Sequence, residues 1–246
     1  MTNATGIKKT LVLGGTGKTG RRVVERLAAR AVPTQVGSRS GRPPFDWADR
    51  STWAPVLEGV GSAYLSYYPD LAVPGATDTV GSFAELAVRS GVRRLVLLAG
   101  RGEPEAEEAE DAVRASGAEL TIARSTWLAQ NFSEDYIAEE VRSGEVALPA
   151  RDVPEPFVDA DDIADVAVAA LTDDRHIGIR VRRIRCGTKT RQGGLRYVFW
   201  ASKTSRIFRS CTPSSSPAGY VCGFVKRLIP GCNRLSCSRT RARAWR

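Results

Sequence analysis

Short apolar runs alternate with segments of helical periodicity between residues 9 and 171. The apolar runs predict strands at Lys9–Gly14, Pro33–Ser38, Phe45–Trp47, Ser62–Ser66, Arg94–Ala99 and Glu119–Arg124. The periodic segments predict helices at Lys18–Arg30, Ser51–Glu58, Thr77–Ser90, Pro104–Ser116 and Trp127–Ser143, and from about Val158 to about Leu171. Strands that alternate with helices in this way indicate an α/β protein with a doubly wound parallel sheet.

The connection between the first strand and the first helix is rich in glycine. Its residues are Gly14, Gly15, Thr16, Gly17, Lys18, Thr19 and Gly20. Three glycines spaced three apart in a strand–turn–helix context are typical of a dinucleotide-binding turn, where backbone N–H groups face a pyrophosphate. The sequence therefore predicts a Rossmann-like fold that binds NAD(P) through these residues. The alternative is a glycine-rich turn without a ligand.

Charge is distributed unevenly along the chain. Of 36 Lys and Arg residues, 17 lie in residues 179–246, which contain no Asp or Glu and all five Cys. Residues 1–178 are mildly acidic and lack Cys, as expected for a cytoplasmic domain. We expect no membrane segment, because no apolar run approaches the roughly 18 residues that a spanning helix needs. We also expect no metal site, because the only His stands alone and the Cys residues lack Cys-x-x-Cys spacing.

Several motifs occur together in one order along residues 9–178. They are LVLGGTGKTGRRVVERL, Val36–Ser40, Phe45–Trp47, Gly91–Leu98, Ala123–Trp127, Asn131–Glu134, Pro156–Val158 and Asp161–Ala164. In these motifs the chain resembles the NmrA-like atypical short-chain dehydrogenases. Within them it is most similar to the ergot-alkaloid-type NAD(P)-dependent reductases (the festuclavine dehydrogenase-like branch). The resemblance implies a Rossmann domain, an NAD(P) cofactor and a small-molecule substrate.

The end of the second strand bears on the choice of cofactor. An acidic residue there would bind the ribose of NAD, but this chain has Ser38 and Arg39. Because an arginine can pair with a 2′-phosphate, we expect NADP(H) to be preferred, with NAD(H) also possible. Otherwise Arg39 is a solvated loop charge. The resemblance implies that Asp46 lies near the adenine; a turn or helix cap is the alternative.

The absence of one catalytic motif limits the reactions that the protein could catalyse. Ordinary short-chain dehydrogenases use a Tyr-x-x-x-Lys pair for proton transfer, yet no Tyr or Lys lies between Ala99 and Thr126. Reduction of a ketone needs a proton donor, whereas reduction of an iminium does not. The sequence therefore favours a reductase acting on an imine, iminium or quinone-like acceptor. The alternative is a non-enzymatic sensor that binds NAD(P) and regulates a protein partner.

Candidates to line the active cleft follow the predicted strands. Tyr67 and Tyr68 follow the fourth strand, Gly100 follows the fifth, and Trp127 lies just beyond the sixth. Ligands bind beyond the carboxyl ends of the strands in such sheets, so we expect Gly100 near the cofactor. Tyr67 or Tyr68 could donate a proton, and Trp127 could stack on a flat substrate. The alternatives are a surface loop for the tyrosines and packing at a helix start for Trp127.

The family pattern stops after Gly178, which divides the chain into a Rossmann domain at 1–178 and a basic tail at 179–246. A set of codons that encodes residues 180–189 reads Gly-Tyr-Asp-Val-Ser-Gly-Ala-Gly-Pro-Arg one nucleotide later, which resembles the strand and turn expected in the family. A frameshift between about Arg175 and Arg180 therefore explains the tail, which we expect to be poorly ordered. A basic extension that binds nucleic acid is the less favoured alternative, since no binding motif organises its charge.

Overall fold

The computed structural model describes residues 8–143, 157–174 and 180–183. The chain divides into two compact units. The first, called the sheet unit here, comprises Met1–Thr126 and Ala160–Ile184. The second unit comprises Trp127–Asp159 and Arg185–Arg246. Within the described residues, no helix is both long enough and apolar enough to cross a membrane.

The sheet unit alternates strands with helices, as the sequence pattern predicts. Its strands are β1 (Lys9–Leu13), β2 (Thr34–Gly37), β3 (Val60–Leu65), β4 (Arg94–Gly100), β5 (Glu119–Ser125) and, later in the chain, β8 (Arg180–Arg183). Its helices are α1 (Lys18–Ala29), α2 (Trp53–Val56), α3 (Ala76–Arg89), α4 (Pro104–Ala115) and α7 (Ala160–Thr172), with a 3-10 turn at Arg50–Thr52.

The strands form one parallel sheet in the order β2-β1-β3-β4-β5-β8. The strand order reverses direction at β1, because β2 lies on one side of β1 and β3 on the other. In open α/β sheets this reversal leaves a crevice at the carboxyl ends of the two central strands, where ligands bind. The predicted fold class is confirmed.

Helices cover both faces of the sheet. On one face, Leu11 and Leu13 belong to a buried cluster that includes residues of α2, α3 and α4. On the other face, Val12 and Tyr64 pack with residues of α1 and α7. Successive residues of a strand point to opposite faces, so the apolar run of β1 is buried on both sides.

Acidic residues lie at the start of α7. Asp161 and Asp162 both lie in the first turn of the helix. Asp161 also pairs with two arginines of α1, at 3.2 Å from Arg22 Nε and 2.9 Å from Arg26 Nη2. Asp165, one turn further on, lies 2.5 Å from Arg26 Nε. These ion pairs hold α7 against α1 on the same face of the sheet.

The strand predicted at Phe45–Trp47 does not form. The segment shows only an isolated bridge between Asp46 and Asp49. Its aromatic side chains pack instead: Phe45 and Trp47 are 5.0 Å apart between ring centroids, and Phe45 lies 5.6 Å from Phe83. Two aspartates and a preceding Pro-Pro pair disfavour a strand, so aromatic packing decides the conformation.

The second unit corrects the helix predicted at Trp127–Ser143. The first two residues form β6 (Trp127–Leu128), which pairs in parallel with β7 (Phe157–Val158). Helix formation begins only with α5 (Asn131–Glu134) and continues in α6 (Tyr136–Ser143). The backbone N–H of Ala129 donates to the carbonyl of Val158 at 2.8 Å, which extends this strand pairing. A long-range partner therefore overrides the helical periodicity.

The sheet continues beyond the predicted boundary at residue 178. Arg180–Arg183 pairs in parallel with β5, with Arg180 opposite Thr121. The sequence pattern did not predict this strand. The rest of the basic tail lies outside the described residues, and the frameshift interpretation stays a prediction.

Candidate functional site

The glycine-rich turn lies at the carboxyl end of β1, where the strand order reverses. Gly14 has a φ of +68°, which glycine adopts without strain. Its N–H donates to the carbonyl of Gly37 at the end of β2, at 3.2 Å. On the other side, an added Cβ at Gly14 would lie 3.2 Å from the Cβ of Ser66, which follows β3. The turn is therefore seated between the ends of β2 and β3.

Gly20 lets α1 begin directly on this turn. An added Cβ would overlap the carbonyl oxygen of Gly14 and would lie 2.7 Å from its carbonyl carbon and 2.8 Å from the Cα of Gly15. All three atoms belong to the backbone, so no side-chain movement could relieve the overlap. The packing of helix on turn expected for the third glycine of the motif is present.

Gly17 differs from Gly20 because little surrounds it. It is exposed, and the nearest atom to an added Cβ would be the carbonyl oxygen of Gly14 at 3.2 Å. Thr16 beside it is also exposed. Internal packing therefore does not require glycine at this position. A ligand that approached the backbone closely here would require it.

The start of α1 is suited to an anion. Gly17 is the N-cap, no side chain caps the helix, and its first turn contains no acidic residue. Lys18 is half-buried at the first helical position. The first N–H groups of a helix lack intrahelical acceptors and carry the positive end of the helix dipole. These residues fit the pyrophosphate of a dinucleotide.

Thr19 is turned away from this surface. Its side chain is 4% exposed, and its hydroxyl accepts a hydrogen bond from the Tyr64 hydroxyl at 3.0 Å. Burial raises the pKa of the Tyr64 phenol, so Tyr64 remains a donor. Thr19 is predicted to bind the cofactor, but only its backbone N–H, and not its side chain, is available at the helix start.

Ser38 and Arg39 follow β2 and begin a tight loop. The carbonyl of Ser38 accepts from the N–H groups of Gly41 and Phe45, both at 2.9 Å. Arg39 is exposed at the tip of this loop, and within the described part of the chain no ion pair involves it. Its guanidinium is therefore available to a ligand at the β2 end of the sheet.

Asp46 organises its own loop. Its carboxylate accepts from the N–H of Ala48 at 3.0 Å, and its carbonyl accepts from the indole N–H of Trp53 at 2.9 Å. Its N–H donates to the hydroxyl of Thr52 at 3.0 Å. These contacts are those of a turn cap, the alternative left open for this residue.

The two tyrosines after β3 have different environments. Tyr67 is half-buried, packs against the core and lies 5.1 Å from Trp47 between ring centroids. Tyr68 is 78% exposed. Tyr67 is thus the more fixed of the two beside the carboxyl end of β3, and Tyr68 belongs to a surface loop.

Glu103, which lies in the loop after β4, is a residue that the sequence analysis missed. Gly100 ends the strand, and an added Cβ there would overlap the Oε2 atom of Glu103 and lie 2.7 Å from its Oε1. Glu103 is the N-cap of α4, but its side chain makes no capping hydrogen bond. Glutamate is an unusual choice at an N-cap, and this signal could have singled it out.

Trp127 belongs to the second unit and is described within it. It is 36% exposed and meets Phe157 edge-on, with ring centroids 6.3 Å apart. Phe132 contacts the same ring at 5.1 Å. Trp127 therefore packs on a strand pair and not at a helix start, and part of its ring is open to solvent.

Metal ligation finds no support in the described residues. None of their His, Cys, Asp and Glu side chains form a group of three or more that could hold a metal ion.

Curated relatives match about two thirds of the chain. Festuclavine synthase II of Penicillium roqueforti is 32% identical over 181 residues, which cover 66% of this chain and 63% of that protein. Agroclavine dehydrogenase of Claviceps fusiformis is 32% identical over 185 residues, covering 66% and 62%. The chain thus spans less than two thirds of the length of these relatives. No protein-family model matches it.

A solved structure shares the fold. The triphenylmethane reductase of Citrobacter sp., determined with NADP(H), superposes with a TM-score of 0.54 at 17% identity, covering 70% of this chain and 68% of that one. At this identity the likeness establishes the Rossmann-type fold alone. The predicted resemblance to the ergot-alkaloid-type reductases is confirmed by the relatives, which are named festuclavine synthase and agroclavine dehydrogenase.

Proposed function

We propose that this protein, which is similar to the ergot-alkaloid-type dehydrogenases, is an oxidoreductase that binds NADPH in preference to NADH and reduces a small, activated acceptor. The acceptor classes proposed are imines, iminium ions and quinones. The relatives named dehydrogenase and synthase support an oxidoreductase, and the reductase with the same fold was determined with NADP(H).

The observation that carries this proposal is the seating of α1 on the glycine turn. Because Gly20 has no Cβ, the start of α1 packs directly on the backbone of Gly14. The start of the helix therefore lies beside the crevice between the carboxyl ends of β1 and β3. Gly17 and Thr16 are exposed at that point, and no carboxylate in the first turn would repel a phosphate. The backbone N–H groups at the helix start would hold the pyrophosphate.

When bound, the reduced nicotinamide supplies the hydride. The protein would hold the dinucleotide at the glycine turn, present Arg39 to a 2′-phosphate and position an acceptor beyond the ends of β3 and β4. Tyr67 and Gly100 follow these two strands, so they would border the reacting groups. The stacking of Trp127 on a flat substrate stays a prediction from the sequence alone.

Binding tests the cofactor directly. We expect the full chain to bind NADPH more tightly than NADH in a fluorescence titration. Arg39→Ala should weaken NADPH binding by about 10- to 150-fold, because a charge-assisted hydrogen bond contributes about 1.5–3 kcal/mol, and should leave NADH binding nearly unchanged. Arg93→Ala is the matched control: Arg93 is also exposed, but it lies before β4 at the amino end of the sheet.

Two results would contradict the proposal. If the folded chain binds neither NADPH nor NADH, the proposed cofactor is wrong. Binding without any oxidation of NADPH, measured at its nicotinamide absorbance with imine, iminium and quinone acceptors, would favour a sensor that binds the dinucleotide without reaction.

A further inference from the structure

Glu103 places its carboxyl group against the end of β4. The strand ends in Gly100, and only the absence of a side chain there leaves room for the carboxyl oxygens of Glu103. The connecting loop is fixed by a hydrogen bond from the N–H of Arg101 to the carbonyl of Ser125 at 2.9 Å. The carboxyl group is therefore held at the edge of the sheet where ligands bind in this fold.

The environment of this carboxyl group is poor in hydrogen-bond donors. Its Oε2 atom is buried and has no hydrogen-bond partner in the part of the chain that the structure describes. Glu103 is also the N-cap of α4, next to unpaired helical N–H groups, yet its side chain does not use them. An ionised oxygen left in this state is more strongly disfavoured than a protonated carboxyl group, because the charge adds to the cost of the missing hydrogen bond.

Neighbouring charges act in the same direction. Burial is the largest cause that raises the pKa of the Glu103 carboxyl, and the carboxylates of Asp70 and Glu105 raise it further. Asp70 belongs to the loop after β3, and Glu105 lies in the first turn of α4. Both elements that flank the group thus present negative charge to it.

We propose that Glu103 is the proton donor of this site. The inference rests on the proposed function and fills the gap left by the missing Tyr-x-x-x-Lys pair, since Glu103 lies within the same stretch between Ala99 and Thr126. With an imine acceptor, a hydride from the reduced nicotinamide would form the new C–H bond. The C=N π electrons would then take the proton from the Glu103 O–H, giving an amine, an oxidised nicotinamide and a Glu103 carboxylate. Water would return the proton.

The first test measures the proton without turnover. The full chain, labelled with carbon-13 at the glutamate carboxyl carbons, is titrated by NMR, and Glu103 is assigned as the signal lost in Glu103→Gln. We expect this signal to titrate at a higher pH than the carboxyl group of a glutamate in a short unstructured peptide, because the Glu103 pKa is raised. Titration of Glu103 at the pH of the peptide reference would overturn the proposal.

The second test separates proton donation from a structural role. The acceptors are 3,4-dihydroisoquinoline, a neutral imine that must gain a proton, and its N-methyl iminium salt, which needs none. At neutral pH we expect Glu103→Gln to lower kcat for the imine about 100-fold, while kcat for the iminium salt changes less than about threefold. Glu108→Gln, a change at an exposed residue of α4, should leave both rates unchanged.

The outcomes distinguish this inference from the proposed function. Equal losses on both acceptors, or no loss on either, would overturn the donor role and leave the proposed function standing. If the wild-type chain binds NADPH but reduces neither acceptor, the donor role fails. If it also reduces no quinone, the proposed function fails with it. In the wild type, kcat for the imine should fall as pH rises through the Glu103 pKa, and this dependence should disappear in Glu103→Gln.

Discussion

Replacement of Gly20 by alanine tests whether the glycine turn is built as the structure indicates. The added methyl group would overlap the Gly14 carbonyl oxygen and approach two further backbone atoms within 2.8 Å. Overpacking of this kind destabilises a protein by about 1–3 kcal/mol. Alanine would recover about 0.5–1 kcal/mol through its better helix propensity. The net loss should be about 1–2 kcal/mol.

This loss can be measured as a melting temperature. For a domain of this size, each kcal/mol lowers Tm by about 2–4 °C, so Gly20→Ala should lower Tm by about 2–8 °C in the absence of ligand. Gly17→Ala should lower Tm by only about 1–2 °C, because φ at Gly17 is −81° and the change weakens only the N-cap, by roughly 0.5 kcal/mol. Its effect should appear instead in NADPH affinity, as a loss of at least about tenfold.

Gly117→Ala separates stability from binding. Gly117 follows α4, has a φ of +79° and has no atom within 4 Å of an added Cβ. Alanine there is strained by about 1–2 kcal/mol, but the position precedes β5 at the amino end of the sheet. We expect a lower Tm with unchanged NADPH affinity. An unchanged Tm in Gly20→Ala, or equal weakening of NADPH binding by Gly17→Ala and Gly117→Ala, would refute this account of the turn.

Three further substitutions test buried polar contacts of the sheet unit. Glu110→Gln should lower the free energy of unfolding by about 3 kcal/mol in urea, because Arg124 donates to both carboxylate oxygens of the fully buried Glu110 at 2.7 and 2.5 Å. Glu107 also pairs with Arg124 but is 52% exposed, so Glu107→Gln should lower the free energy of unfolding by less than about 1 kcal/mol. Equal losses in Glu107→Gln and Glu110→Gln would contradict the stronger role assigned to the buried pair. Tyr64→Phe should lower the unfolding free energy by about 1 kcal/mol through loss of its bond to Thr19, measured the same way, and no change would indicate that this bond does not stabilise the start of α1.

The sequence was sufficient where local signals and the fold agree. The glycine spacing, the apolar run before it and the amphipathic pattern after it predicted β1 and α1 to within one residue of Lys9–Leu13 and Lys18–Ala29. Pro104 was predicted at the first position of a helix, and it begins α4. In each case turn chemistry and periodicity specify the same boundary, so no distant contact needs to be known.

Prediction was less successful where a distant partner decides the structure. Trp127 and Leu128 continue a helical pattern, but they pair with Phe157–Val158 about 30 residues later. Phe45 appears strand-like, yet its ring packs against Phe83 of α3. The unusual N-cap position of Glu103 was visible in the sequence, but the contact of its carboxyl group with Gly100 was not, because a sequence pattern does not show side-chain placement at a strand end.

In β8, the position of the strand in the sheet can be compared with the residue types that the strand contains. Topology places Arg180–Arg183 beside β5, which is where an open parallel sheet of this kind continues. Strands of such sheets are usually rich in Val, Ile and Leu, but three of these four residues are arginine. The shifted frame would supply Gly-Tyr-Asp-Val at the same positions, which suits the place in the sheet better. We therefore propose that the register of the coding sequence changes just before this strand. A coding sequence around codons 175–180 that is reproducibly in frame with the arginines would contradict it.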